Sequence, residues 1–113
     1  MTQRHRYPIG FRAQAKDPVI YFSAPQHRRL AGYFSDNRDV GRKVYKLEIT
    51  LETRIEQPQA RITEMQSLGF DIRSVSPEGR AKGDRRHLYY LASSVLLVWE
   101  ELENDGDGGG DVD

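Results

Sequence analysis

Side chains able to act as acids, bases or metal ligands are scattered along this chain. The three histidines, His5, His27 and His87, fall in three different segments. None belongs to an H-x-x-x-H or H-E-x-x-H motif, the spacing that sets two zinc ligands on one face of a helix. The sequence has no cysteine, which excludes disulfides, thiolate nucleophiles and thiolate zinc sites and is typical of a reducing compartment. We therefore predict no metal site and a cytoplasmic protein.

Two carboxylates, Glu48 and Glu52, are regularly spaced close to Lys46. A buried pair of this kind could do acid–base chemistry. However, the alternation of the surrounding residues predicts that both lie on the solvent-facing row of a strand. The chain also has no G-x-S-x-G elbow, P-loop or glycine-rich dinucleotide fingerprint. Because no catalytic set is complete, we assign no catalytic residue.

Basic residues close to aromatic ones are the strongest functional feature of the sequence. Residues 1–43 contain nine lysines and arginines against three aspartates, whereas residues 44–113 contain eight against fourteen acidic residues. Arginine and tyrosine supply much of the binding energy at many protein interfaces. We predict a partner-binding surface formed by Arg12, His27, Arg28, Arg29, Arg38 and Arg42.

These residues favour a small non-catalytic accessory or inhibitor protein, of the phage or mobile-element type, that occupies the surface of a protein partner. Two other hypotheses stay open. Nucleic acid could bind the basic half through phosphate contacts and base stacking, although no helix-turn-helix or ribonucleoprotein motif is present. A structural or assembly subunit could instead pair a strand at residues 44–51 across an interface. The longest apolar-rich run has 12 residues, too few to span a bilayer, so we expect no membrane partner.

The elements expected to position the basic residues begin with a hairpin and a helix. Strands are predicted over residues 7–14 and 18–23, separated by an Asp-Pro turn. A helix should follow from about residue 23 to about residue 35, because serine is a good N-cap and proline is tolerated in the first turn. This helix should direct its apolar residues inward and the triplet His27-Arg28-Arg29 mostly outward.

The most regular pattern lies at residues 42–52, where four apolar residues alternate with polar ones. This period of two predicts a long half-buried strand. Residues 58–68 predict a helix that ends at Gly69, and residues 70–75 predict another strand.

The C-terminal part of the domain admits two interpretations. From Leu88 to Leu102, apolar residues recur at spacings of three and four, which predicts an amphipathic helix. The alternative is a pair of strands at residues 87–92 and 95–102.

The element order predicts a small single α+β domain over residues 1–102, with a mixed or antiparallel sheet of about four strands covered by two or three helices. Only 37% of the residues are hydrophobic, so aromatic side chains should supply much of the core. Residues 76–84 predict a polar loop. Residues 103–113 contain mostly glycine and acidic residues and predict a disordered acidic tail.

Four segments together resemble the order of motifs in ADP-ribosyltransferase-like folds: "GFRAQ", "VIYFSAPQHRRLAGYF", "VYKLEITLE" and "LGFDI". The resemblance covers residues 8–75. It implies that Arg12 holds NAD and that Tyr21 or Ser23 packs against or hydrogen-bonds its nicotinamide side. No residue matches the family's catalytic acid, which leaves an NAD-dependent transferase as the alternative to a non-catalytic protein that needs no cofactor.

Overall fold

The computed structural model describes residues 7–77 and 86–99. Within these ranges the chain forms six strands and three helices in the order β-β-α-β-α-α-β-β-β. The strands are β1 (Pro8–Arg12), β2 (Ile20–Tyr21), β3 (Val44–Tyr45), β4 (Ile72–Val75), β5 (Leu88–Leu91) and β6 (Leu96–Trp99), and the helices are α1 (Pro25–Asp39), α2 (Lys46–Thr53) and α3 (Pro58–Ser67). The predicted α+β class is confirmed. The predicted tail at 103–113 and most of the loop at 76–84 lie outside the described residues.

The strands form two antiparallel sheets of three strands each. One sheet has the order β2-β1-β6 and the other the order β3-β5-β4. Although β5 and β6 are consecutive in sequence, they belong to different sheets, so residues 92–95 carry the chain from one sheet to the other. The predicted C-terminal helix is therefore wrong, and the alternative of two strands is right. Both strands find distant backbone partners, since β5 lies between β3 and β4 and β6 pairs with β1.

The long strand predicted at residues 42–52 is also wrong, because residues 46–53 form α2 and only the two residues of β3 are extended. The helix begins with a hydrogen bond of 2.8 Å from the backbone N–H of Tyr45 to Oε1 of Glu48, which satisfies a backbone donor at the helix start. Only Ile49 and Thr53, four residues apart on one helical face, are buried. The helix thus buries only one of the four alternating apolar residues, whereas a strand would have placed all four on its buried face.

Phenylalanines supply part of the core, whereas the tyrosines and Trp99 are not fully buried, so the aromatic contribution is smaller than predicted. All four phenylalanines are buried. Phe11 of β1, Phe22 and Phe70 pack together with ring centroids 5.1–5.8 Å apart. Phe11 is in β1 and Phe22 directly follows β2 of the first sheet, whereas Phe70 lies two residues before β4 of the second. This cluster therefore joins the two sheets.

Two of the helices follow the sequence prediction closely. Pro25 occupies the first turn of α1, which continues to Asp39 and buries Leu30 and Phe34. Helix α3 begins at Pro58 and ends just before Gly69, whose φ of +96° favours glycine. None of the three described helices has the length and apolar character needed to cross a bilayer.

Candidate functional site

Strand β1 presents alternate side chains to the two faces of its sheet. Phe11 points into the core, so Arg12 and Gly10 point away from it. Across the ladders, Gly10 is opposite Tyr21 and Arg12 is opposite Leu96. Cross-strand partners share a face. Arg12, Tyr21, Leu96 and Val98 therefore lie on one side, which we call the outer face of the β2-β1-β6 sheet.

The outer face combines apolar side chains with a cation. Tyr21 is 62% exposed and Leu96 is 45% exposed. Arg12 is a diagonal neighbour of Tyr21, a relationship that spans roughly 7–8 Å in an antiparallel pair. The Nε of Arg12 is buried and has no hydrogen-bond partner within the described ranges. A buried donor without a partner is costly.

The close approach of β2 to β1 depends on Gly10. A Cβ atom at this position would lie 2.6 Å from the carbonyl oxygen of Ile20 and 3.0 Å from Cγ1 of Val19. Only a residue without a side chain allows this spacing. Gly10 therefore positions Tyr21 beside Arg12.

The residues that the transferase resemblance assigns to NAD are only partly brought together. Arg12 and Tyr21 share the outer face, while Ser23 is exposed between β2 and α1. Strand β6 lies beside β1 and presents Leu96 next to Arg12 on this face. Its described residues, 96–99, include no carboxylate that could act as the catalytic acid. No residue was matched to the family's catalytic acid, and three glutamates of the C-terminal half, Glu78, Glu100 and Glu101, lie outside the described ranges.

His27 does not lie on the surface, in contrast to the prediction that it would be mostly outside. It is only 3% exposed, and its Nε2 lies 2.6 Å from Oε1 of Glu64 in α3. The sequence contains the signal that places it inside, since His27 precedes Leu30 by three residues and Phe34 by seven, the spacing of one helical face. The pair joins α1 to α3.

Arg28 and Arg29 are half-buried and contact the backbone of other elements. Arg28 donates hydrogen bonds of 3.3 Å to the carbonyl oxygens of Tyr7 and Pro8. Arg29 donates a bond of 2.8 Å to the carbonyl oxygen of Thr53 at the end of α2. These contacts hold α1 against β1 and α2, so both guanidinium groups also support the fold.

Arg42 lies at the centre of a charged network. It donates bonds of 2.7 Å to Glu48, 3.3 Å to Glu52 and 3.1 Å to the side-chain oxygen of Asn37. Its hydrogen bonds to Glu48 and then to Glu52 raise the pKa of the guanidinium group. The pKa of Glu52 is lowered by hydrogen bonds from Tyr33 and Arg42. The two carboxylates considered for acid–base chemistry thus bind an arginine. The strand prediction missed this arrangement, because Glu48 and Glu52 come close to one cation only when their spacing of four residues is helical.

Arg38 is exposed in the last turn of α1, where a cation interacts favourably with the helix dipole. Among the six predicted partner-binding residues, Arg12 lies on the outer face, and the other five belong to α1 or follow it directly. Four of those five, His27, Arg28, Arg29 and Arg42, have contacts within the fold.

A cavity of about 860 Å³ lies between α1, the C-terminal end of α2 and the end of β6. Glu52, Thr53 and Arg54 line one side, and Trp99 lines another. Within residues 7–77 and 86–99, no three histidine, aspartate or glutamate side chains are grouped so that they could hold a metal ion.

No known protein family, curated protein or solved structure matches this chain.

Proposed function

We propose that this chain is a small non-catalytic accessory or inhibitor protein, of the phage or mobile-element type, that binds a protein partner through the outer face of the β2-β1-β6 sheet. One observation carries the proposal: the exposed side chains of Tyr21 and Leu96 share a face with Arg12, whose buried Nε lacks a partner in the described part of the chain.

The chemistry of the face favours a protein partner. Tyrosine and arginine, together with tryptophan, are enriched at the energetic centre of protein interfaces. Burying Tyr21 and Leu96 would remove apolar surface from water, which favours association. A carboxylate or carbonyl oxygen of the partner would accept a hydrogen bond from Arg12 and contribute specificity.

Co-purification of the tagged full chain from its native host tests the proposal. We expect proteins recovered with the native chain to be lost with Tyr21→Ser and with Arg12→Ala. The matched control is Val40→Ser, a change of a strongly exposed apolar residue that follows α1. Thermal unfolding midpoints must stay close to that of the native chain. If the same proteins are recovered with all three variants, the outer face is not the binding surface.

The second candidate is an ADP-ribosyltransferase-like enzyme that uses NAD. It is favoured by the position of Arg12 and Tyr21, since these two of the three residues that the resemblance assigns to NAD lie on one face of neighbouring strands. Calorimetry with NAD, followed by labelling of host lysate with radioactive NAD, tests it. We would expect Arg12→Ala to abolish both signals. Absence of NAD binding by the native chain would reject this candidate and leave the first unaffected.

The hypothesis of a structural or assembly subunit required a strand at residues 44–51 that pairs across an interface. Residues 46–53 are helical instead, so this hypothesis has no structural support here.

A further inference from the structure

The β3-β5-β4 sheet presents two tyrosines on the side that faces away from the core. Leu91 in β5 is buried, so the alternation along the strand places Leu88 and Tyr90 on the opposite side. Tyr45 in β3 is opposite Leu88, and Arg73 in β4 is opposite Tyr90, so both share that side. Tyr45 and Tyr90 are therefore diagonal neighbours on adjacent strands, and both are half-buried.

Each of the two tyrosine rings has a cation above it. The Nζ of Lys43 lies 5.2 Å from the ring centroid of Tyr90, and the guanidinium carbon of Arg86 lies 5.2 Å from the ring centroid of Tyr45. Both cationic residues are exposed. We call this side of the sheet the tyrosine face, formed by Lys43, Tyr45, Arg73, Arg86, Leu88 and Tyr90.

Positive charge predominates on the tyrosine face. It has three cations, and within residues 43–45, 71–75 and 86–92 the one carboxylate is that of Asp71, which binds Arg73 at 2.9 and 3.1 Å. Lys43 has no ion pair with a carboxylate in the described part of the chain. The neighbouring network of Arg42, Glu48 and Glu52 carries one net negative charge, so the excess stays positive when this network is included.

We propose that the tyrosine face binds single-stranded nucleic acid, with bases stacked on Tyr45 and Tyr90 and phosphates held by Lys43 and Arg86. Each nucleotide offers one planar base and one anion, and the face presents a ring with a cation beside it twice. An acidic peptide would match the cations but would offer no planar group to each ring. The site lies on a different sheet from the proposed protein-binding face and does not depend on it.

The cations above the rings do not prevent stacking. A base stacked on an aromatic ring is worth more than a cation–π contact at an exposed site. The long side chains of Lys43 and Arg86 can therefore move from the rings to the phosphates when bases arrive. Phosphate contacts release counterions and make the affinity depend on salt, whereas stacking tolerates different bases.

Fluorescence anisotropy with the full chain tests this proposal. The probes are labelled oligouridine and oligothymidine of about 10 nucleotides, within the range of known single-strand site sizes, a duplex of the same length and a polyglutamate peptide. We expect both single strands to bind more tightly than the duplex and the peptide. A higher affinity for oligouridine would add a contact to the 2′-hydroxyl group. No binding of either single strand, or equal binding of duplex or polyglutamate, would overturn the proposal.

Two variants separate stacking from charge. Tyr90→Leu keeps an apolar side chain and should weaken single-strand binding by about tenfold, with little change in its salt dependence. The double change Lys43→Gln and Arg86→Gln removes two phosphate contacts, so the slope of log Kd against log salt should become shallower by about 1.4. An unchanged affinity of the first variant, or an unchanged slope of the second, would overturn the proposal.

Matched controls exclude general effects on the fold. Tyr21→Leu, on the other sheet, and Lys16→Gln, on an exposed lysine between β1 and β2, should leave single-strand binding unchanged. The first control also distinguishes failure here from failure of the proposed protein-binding face. If Tyr90→Leu lowers the unfolding midpoint, the native chain decides: oligouridine should shift the backbone amide signals of Tyr45, Arg73 and Tyr90 but not that of Tyr21. Shifts confined to other residues would overturn the proposal.

Discussion

The hydroxyl group of Tyr33 in α1 donates a hydrogen bond of 2.6 Å to Oε1 of Glu52 in the last turn of α2. Arg42, from the connection between the two helices, donates to the same oxygen at 3.3 Å. The phenol and the guanidinium group thus hold one carboxylate from two sides. This arrangement fixes α2 against α1 although the apolar contact of α2 with the core is limited to a single face.

Tyr33 should ionise late in an alkaline titration. Burial, followed by the hydrogen bond to Glu52, raises the pKa of Tyr33 well above its ordinary value of 10.0. The neutral phenol is therefore favoured in the folded state, and its stabilising contribution is complete below pH 10 and is lost as the pH rises through the raised pKa. In an ultraviolet titration, the difference between the native chain and Tyr33→Phe should lie at a pH clearly above 10. A difference centred at 10 would contradict the hydrogen bond.

Glu64 should stabilise the protein at neutral pH and lose this role in acid. The hydrogen bond with His27 is the main cause that lowers the pKa of Glu64 below its ordinary value of 4.5. A lowered carboxyl pKa contributes stability above the ordinary value, and that contribution is lost as the pH falls through the lowered pKa. In urea titrations, Glu64→Gln should therefore lower the free energy of unfolding at pH 7, and the difference from the native chain should shrink below pH 4.5. Glu56→Gln, on an exposed carboxylate outside the pair, should have little effect at either pH.

Phe70→Ala should be among the most damaging single changes in the core. Phe70 is fully buried and contacts the rings of both Phe11 and Phe22. Truncation of a buried phenylalanine lowers the free energy of unfolding by about 3–5 kcal/mol. Chemical denaturation should show this loss, whereas Val40→Ala, on an exposed residue, should change the stability by less than about 0.5 kcal/mol. Equal effects of the two changes would show that the cluster does not join the sheets.

Gly10→Ala and Gly32→Ala should have opposite effects. At Gly10 the new methyl group would lie 2.6 Å from the backbone oxygen of Ile20, so β2 must move and the unfolding midpoint should fall. At Gly32, within α1, the nearest atom is a side-chain carbon of Pro8 at an ordinary 3.6 Å. Alanine is favoured over glycine inside a helix by up to about 1 kcal/mol, so the midpoint should stay or rise. Comparable losses in both variants would contradict the described strand spacing.

Elements with local signals were predictable from the sequence. Proline in the first turn and glycine after the last indicate α3, and the apolar spacing of Leu30 and Phe34 indicates α1. The same spacing places His27 inside, although its basic neighbours suggested a surface. In the candidate site, the sequence identified Arg12 and Tyr21 as residues of interest. It did not show that they share a face, because that depends on the pairing of Gly10 with Tyr21.

The sequence by itself determined an α+β chain with phenylalanines in its core, since composition and helix-end residues act locally and need no distant partner. Tertiary structure alone decided that residues 46–53 are helical and that residues 88–91 and 96–99 form strands in two different sheets. An alternating apolar segment forms a strand only when a neighbouring strand provides backbone hydrogen bonds. For residues 44–53 that neighbour is β5, which pairs with just the two residues of β3. Once α2 forms, Glu48 and Glu52 meet at Arg42, while Leu47 and Leu51 remain exposed.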